Sequence, residues 1–352
     1  MTMDPEKLAR IRELAEKDFT DFLEPELAKY LRESSRESQV DQDAPAVPRY
    51  AGEATFMQAP RATSFEDVDI GLVGVPYDLG VTNRSGPRFG PKQMREMSYL
   101  AVNGPSIHES SHIAPFNLCN IADLGDVGFR SLYDIDMGIE DILAYYEALV
   151  AANVTPISAG GDHSISYPIM KALGAKEPLG LVQFDAHADT LGPMDGSRFH
   201  HGAPFYNAAV DGILDPERTI QIGIRGSAAI LWGFSHATGM RVIEMPEFDK
   251  MGVEAVTAEI RKVIGDGPTY VTVDVDGMDP AFTPGTGTPE VGGLTPLQVQ
   301  QMIRGLRGAN LVGGDVVEVS PPFDSTGVTA IVAGRMMWEL LCVIADARHG
   351  SL

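Results

Sequence analysis

Cysteine is scarce. Cys119 and Cys342 are the only two in 352 residues and lie far apart. That excludes a disulfide framework and a thiolate zinc site, and it predicts reduced thiols in an intracellular, cytoplasmic setting. Positive charge is also short. Lys and Arg total 27 against 49 Asp and Glu, a net charge of −22; such a field repels nucleic acid and anionic membranes and draws small cations. The N-terminal stretch MTMDPEKLARIRELAEK has no apolar centre of the kind a secretory leader carries, and no apolar run approaches a membrane span. No internal repeat stands out. Apolar residues, by contrast, make up 44% of the chain, enough to bury a large α/β domain or two smaller ones without staples.

Residues 4 to 33 are rich in Glu, Lys, Arg, Leu and Ala, with Ile11, Leu14, Phe19, Phe22 and Leu23 at helical spacing. The polar stretch SSRESQVDQDAPAVP follows and reads as a linker or extended arm. The expected division is therefore a helical arm and linker over 1–68 and a catalytic domain over 69–352. The arm is expected to pack on the main body or on a neighbouring subunit. From residue 69 the pattern alternates. DIGLVGVPYD, TPISAGGDHS, LGLVQFDAHAD, RTIQIGIRG, TYVTVDVDGMD and LVGGDVVEVSPP read as strands. IEDILAYYEALVAANV, ISYPIMKAL beginning at Ser164, TPLQVQQMIRGLRG with Thr295 as N-cap, and VTAIVAGRMMWELLCVIADA read as helices. Wholly apolar strands alternating with helices predict a mainly parallel sheet covered on both faces, a three-layer α/β/α sandwich. Ligands of such sheets bind beyond the carboxyl ends of the strands, where Asp78, Asp162, His163, Arg225 and Glu318 fall.

The same ends carry the chemistry. In VQFDAHADT, Asp185, His187 and Asp189 occupy alternate positions, on one face of a strand about 6.6 Å apart. Asp274 and Asp276 repeat the spacing in VTVDVDGMD, and His163 sits where GGDHS turns from strand to helix. A single Asp at a strand end is most often a cap. Four carboxylates and two imidazoles at the ends of three strands repel one another unless protonated or bound to cations. Oxygen and imidazole donors without thiolate suit Mn²⁺, Fe²⁺, Ni²⁺ or Zn²⁺. Two such ions roughly 3.5 Å apart lower the pKa of a bridging water towards about 7, which is metal-assisted hydrolysis. At this point a phosphate ester, an amide and a guanidinium all remain open as substrates.

Five segments, GVPYDLGVTNRSGPRFGPKQMR, GGDHS, FDAHADT, VDVDGMDPAFTPGTGTPEVGGLT and DVVEVSPPFD, resemble in order the signatures of the ureohydrolase family of arginases and agmatinases, over residues 69 to 348. The resemblance implies one ion held by His163, Asp185, Asp189 and Asp274 and another by Asp185, His187, Asp274 and Asp276, manganese first and nickel second. It implies that His201, preferred over the adjacent His200, carries a proton to the leaving amine. It implies that Glu318 grips the guanidinium, whose planar charge a bidentate carboxylate reads best. A bridging hydroxide would attack the guanidinium carbon and release urea and an amine. As a plain strand-end residue, Glu318 would instead pair with Arg225 or Arg335. GTGTPEVGG is expected to line the site mouth. NGPSIHESSHIAPFN is expected to form another wall, with His108 and His112 at the surface.

The substrate stays open among agmatine, guanidinoalkanoates, guanidine and biguanides. TLGPMDGSRFH lacks the Asn and Ser pattern of an arginine site, RSGPR stands where many agmatinases read Arg-Pro-Gly-Ala-Arg, and Gly314 stands before Asp315 where Phe is frequent. Hydrolysis of formimino compounds, or a catalytically silent guanidine-binding subunit, are the alternatives. Partners are expected to be the small cationic substrate and further copies in a trimer or hexamer, or a hetero-oligomer.

Overall fold

The structure, a computed structural model, describes residues 3–25, 28–29, 48, 50–102, 107–111, 113–226 and 229–350. Eight strands form one sheet: β1 Ile70–Gly74, β2 Ile121–Asp126, β3 Thr155–Ala159, β4 Leu179–Phe184, β5 Leu214–Ile224, β6 Arg241–Glu244, β7 Thr269–Asp274 and β8 Leu311–Val317. Their order is β2-β1-β3-β8-β7-β4-β5-β6 and every pairing is parallel. The expected α/β/α sandwich is present. β2 and β6 escape a reading based on apolar runs, and they are the two edges of the sheet. Edge strands are short and charged; β2 carries Asp123 and Asp126, and β6 carries Arg241 and Glu244.

The helices are α1 Pro5–Ala15, α2 Gly90–Ala101, α3 Pro115–Leu118, α4 Ile135–Ala151, α5 Ser166–Leu173, α6 Pro204–Val210, α7 Gly233–Thr238, α8 Met245–Ile264, α9 Pro296–Arg304 and α10 Val328–Gly350. Side chains alternate across the pleat, so the core divides in two. Ile70, Leu72, Val182, Phe184, Val271 and Val273 pack with α2, α8, α9 and α10 on one face. Val73, Leu181, Tyr270 and Val317 pack with α4, α5 and α6 on the other. Thr295 caps α9 in a reciprocal box with Gln298, as its sequence predicts.

Two expectations need correction. By length and composition α10 is apolar enough to cross a membrane, although no run was expected to be. It is a core helix, with Trp338, Leu340 and Leu341 buried beneath the sheet, and the stretch VTAIVAGRMMWELLCVIADA read as a helix covers all but its last three residues. Among the described residues of 4–33 the helical pattern is broken into α1, a 3₁₀ turn over Phe19–Phe22 and helical residues at Pro25, Ala28 and Lys29. None of α1 is buried within the chain. Most of the expected linker lies outside the described residues.

Candidate metal centre and active site

The four central strands end at one level. Phe184 pairs with Val273, Val273 with Val316, and Val316 with Ala159. The six candidate ligands and Glu318 all follow this row within a few residues. Asp185 and Asp274 come one residue later, Glu318 two, and His163 four.

Strand alternation is not what gathers them. β4 stops at Phe184, so Asp185, His187 and Asp189 lie in a loop rather than on one strand face. Asp185 Oδ1 accepts the His187 N–H at 2.6 Å, which curls the chain back on itself. Asp189 stands at φ 52°, the left-handed region that Asp tolerates. Asp274 ends β7 and caps the next turn through the Asp276 N–H at 2.8 Å. The third turn uses the same device. Asp162, not Ser164, caps His163–Ile165 by accepting the Ser164 N–H at 2.9 Å. A short carboxylate that bonds the backbone two residues on ends each strand and turns the next side chains into one volume.

All six candidate ligands meet there. His163 Nδ1 lies 3.1 Å from Asp185 Oδ2, 2.9 Å from Asp189 Oδ2 and 3.3 Å from Asp274 Oδ2. It is fully buried yet makes no hydrogen bond. His187 Nδ1 lies 3.1 Å from Asp276 Oδ2 and 3.7 Å from Asp185 Oδ1. Two sets of ligand atoms are compact enough to hold an ion, His163–Asp185–Asp274 and Asp185–His187–Asp276, and Asp185 belongs to both. In the metal-free protein the crowding appears as shifted acidities. Burial, then Asp189 and Asp276, push Asp185 up to about 7. Burial, then Asp276 and Asp185, raise Asp274 well above the ordinary carboxylate range. Burial lowers His187, but Asp276 outweighs it and lifts the imidazole to about 11. The carboxylates draw positive charge, here as protons on themselves and on the His187 imidazole.

His201, not His200, faces this centre. Its Nδ1 is 3.0 Å from Glu318 Oε1 and its Nε2 is 2.7 Å from Thr82 Oγ1. His200 turns instead to the Gly192 carbonyl at 3.0 Å. Burial lowers the His201 pKa, and Glu318 more than offsets this, to about 9. Glu318 sits at φ 64° and also accepts the His163 N–H at 2.9 Å through Oε1. Its Oε2 is buried with no partner. Neither expected arginine meets it. Arg225 gives its guanidinium to the carbonyls of Gly223, Asp276, Gly277, Met278, Glu290 and Val291 at 2.6 to 3.2 Å. Arg335 pairs with Glu109 and Glu339. Asp78 likewise stays outside the centre, holding its own loop through the Gly86 N–H and Arg88.

A cavity of about 380 Å³ opens above the centre between Thr82, Met194, His201, Leu231, Trp232 and Thr288. GTGTPEVGG contributes Thr288, whose Oγ1 donates to Asp276 Oδ2 at 3.1 Å, so it forms a wall as expected. The described residues of NGPSIHESSHIAPFN do not. His108, expected at the surface, is buried against Glu339 Oε2 at 2.7 Å, while its Nδ1 accepts the Ser111 N–H at 3.1 Å. Phe116 packs on the core, and His112 lies outside the described residues. Residue reading missed Thr82, Thr272, Gln183 and Gln221. Gln183 donates to Asp185 Oδ2 at 2.7 Å and is itself held by Gln221 at 2.6 Å. The available signal was a polar amide inside each of two apolar strands.

Fold and site together define an α/β/α protein with an acidic, imidazole-bearing centre at the carboxyl edge of its sheet. Residues 68–342 match the model of the arginase family. A guanidinopropionase from Pseudomonas aeruginosa is 50% identical over 312 residues, 88% of this chain and 97% of that protein. A mitochondrial agmatinase from Gallus gallus is 42% identical over 88% of this chain and 91% of its own. The solved structure of proclavaminate amidino hydrolase from Streptomyces clavuligerus superposes with a TM-score of 0.80 at 37% identity, covering 86% of this chain and 100% of that one. The chain belongs to the arginase family, in its agmatinase-like ureohydrolase branch, and is a hydrolase of C–N bonds in linear amidines.

Proposed function

We propose that the chain cleaves a guanidino compound to urea and an amine at two divalent cations held by His163, Asp185, His187, Asp189, Asp274 and Asp276. One observation carries this reading: Asp185 is common to two ligand sets, and in one of them a buried, unbonded imidazole nitrogen faces three carboxylate oxygens within 3.3 Å. One ion takes His163, Asp185, Asp189 and Asp274; the other takes Asp185, His187, Asp274 and Asp276. Oxygen and imidazole donors favour manganese first and nickel second. When bound, the ions supply Lewis acidity and a hydrolytic water that ionises near neutral pH.

The chain's own groups do the rest. Glu318 Oε2, buried and free, receives the guanidinium by a charge-assisted bond. Because His201 Nδ1–H donates to Glu318 Oε1, a proton bound for the departing nitrogen is carried on Nε2 of the imidazolium. In the neutral ring Nε2 accepts the Thr82 N–H at 3.2 Å, and Thr82 Oγ1 lies 2.7 Å from it, so Thr82 holds the ring in place. Leu231 and Trp232 shield the cavity from water.

The names of the relatives support a guanidino acid or a guanidino amine as substrate. Assembly as a homo-oligomer in the cytoplasm, with the residues before 69 as an arm reaching a neighbour, accords with an α1 that buries nothing in its own chain. The test is urea release by protein reconstituted with Mn²⁺ or Ni²⁺. The panel is agmatine, 4-guanidinobutyrate, 3-guanidinopropionate, arginine, guanidine and a biguanide. Urea from at least one compound, lost in Asp274→Ala, supports the reading; urea from none overturns it.

A further inference from the structure

Behind His163, away from the cavity, lies a chain of hydroxyls that the hydrolysis itself does not use. His163 Nε2 is 2.8 Å from Thr272 Oγ1, and Thr272 Oγ1 is 2.5 Å from Asp315 Oδ1. Asp315 Oδ2 accepts two more hydroxyls, from Ser166 at 2.6 Å and Tyr270 at 2.8 Å. All five residues are fully buried. The backbone sets the arrangement. Thr272 and Asp315 are cross-strand partners in the β7–β8 register. Tyr270 lies two residues before Thr272 on the same face of β7, and Ser166 opens the helix that follows the His163 turn.

Resting on the metal reading above, the geometry points to Asp315 and Thr272 as positioning residues that fix the tautomer of His163. A threonine hydroxyl has one proton to give. Asp315 takes three hydroxyl bonds with the hydroxyls as donors, so the Thr272 proton goes to Asp315. Thr272 Oγ1 can then only accept from His163, and Nε2 carries the hydrogen. The lone pair is left on Nδ1, the atom that faces Asp185, Asp189 and Asp274. A carboxylate behind a metal-facing histidine fixes ring orientation and raises basicity; here a threonine stands between them. The device accounts for a carboxylate that, among the described residues, is buried with no Lys or Arg bonded to it, and for the Thr272 hydroxyl that meets it across the strand pair.

The experiment measures Mn²⁺ affinity of the full chain by chelator competition in four variants: Thr272→Val, Thr272→Ser, Asp315→Asn and the Thr272→Val/Asp315→Asn pair. The relay predicts a loss of about 10- to 100-fold at one of the two ions in Thr272→Val. Thr272→Ser, which keeps the hydroxyl, stays within about threefold of the parent by the same reasoning. Asp315→Asn weakens binding in the parent but adds nothing once Thr272 is valine, because it acts only through that hydroxyl. Unchanged affinity in Thr272→Val, equal losses in valine and serine variants, or additive losses in the pair would each overturn the relay. Should Thr272→Val not fold, nitrogen NMR of the Zn²⁺-loaded parent decides. A hydrogen-bonded, slowly exchanging proton on His163 Nε2 supports the relay and its absence refutes it. A parent chain that binds no divalent ion removes the metal reading itself, which is a different failure from a parent that binds two ions and a valine variant that binds them equally well.

Discussion

At the scale of single residues the proposed site divides into groups that would hold cations and groups that would handle substrate, and substitutions should separate them. Glu318 offers a buried free oxygen to the guanidinium. Breaking a buried charge pair costs about 3–5 kcal/mol, so Glu318→Gln should lower kcat/KM by roughly 10²-fold or more with metal content unchanged. His201→Ala should lower kcat by about 10²- to 10⁴-fold, the usual worth of a general acid, again with the ions retained. Elemental analysis beside initial rates checks both. A pH effect follows from Asp185. Its carboxyl holds a proton up to about 7 against an ordinary 3.8, so a cation must displace that proton. Metal affinity should therefore rise with pH through about 7 and go on rising towards about 11, where His187 also gives up its proton. Calorimetry in two buffers of different ionisation enthalpy should detect proton release that lessens above about 7 without vanishing. The sign for stability is opposite. The native carboxyl binds its proton more tightly than the unfolded one, so the metal-free protein loses this contribution as pH rises from about 4 to about 7. These residues were legible because ionisable groups stand out in apolar strands. Thr82, Thr272 and Gln183 were not, because a hydroxyl or amide in a strand has many structural uses and acquires meaning only from its neighbour.

At the scale of elements, the strands were read from their apolar runs, while their ends were misplaced. FDAHAD continues the alternating look of β4, yet Asp185 bonds the backbone two residues ahead and ends the strand. Local side-chain bonds compete with the ladder, and a period of two cannot show which one wins. Arg225 teaches the same lesson. As a letter near a strand end it looked like a partner for Glu318. In the fold it fastens two segments of loop, 276–278 and 290–291, through their carbonyls. That loop carries Asp276 and Thr288, so Arg225→Met should loosen the second ligand set and leave buried carbonyls unpaired. The expected result is less than one ion per chain at that set while the His163 set stays filled. Equal occupancy of both in the variant would mean that Arg225 only supports the fold. Asp276 itself remains within reach of His187 in either case, so a partial loss is expected rather than a complete one.

At the scale of the molecule, the centre sits where the four middle strands end together, and binding there clamps β3, β4, β7 and β8 at once. A ligand present at about 1,000 times its Kd adds roughly 4 kcal/mol to stability. Chelation should accordingly lower the melting temperature by several degrees, and Mn²⁺ but not Na⁺ should restore it. The fold class and the long closing helix α10 were plain from strand–helix alternation, whereas the edge strands were not, because charged residues interrupt their apolar letters. The arm is a separate question of assembly: α1 leaves Ile11 exposed, and removal of residues 1–45 should change the oligomer seen by light scattering if α1 covers a neighbour. The central claim is that Asp185 joins two cation sites, and an anomalous difference map from crystals soaked in Mn²⁺ tests it most directly. Two peaks are predicted, one among His163, Asp185, Asp189 and Asp274 and the other among Asp185, His187, Asp274 and Asp276. A single peak, or two that do not share Asp185, would contradict the account.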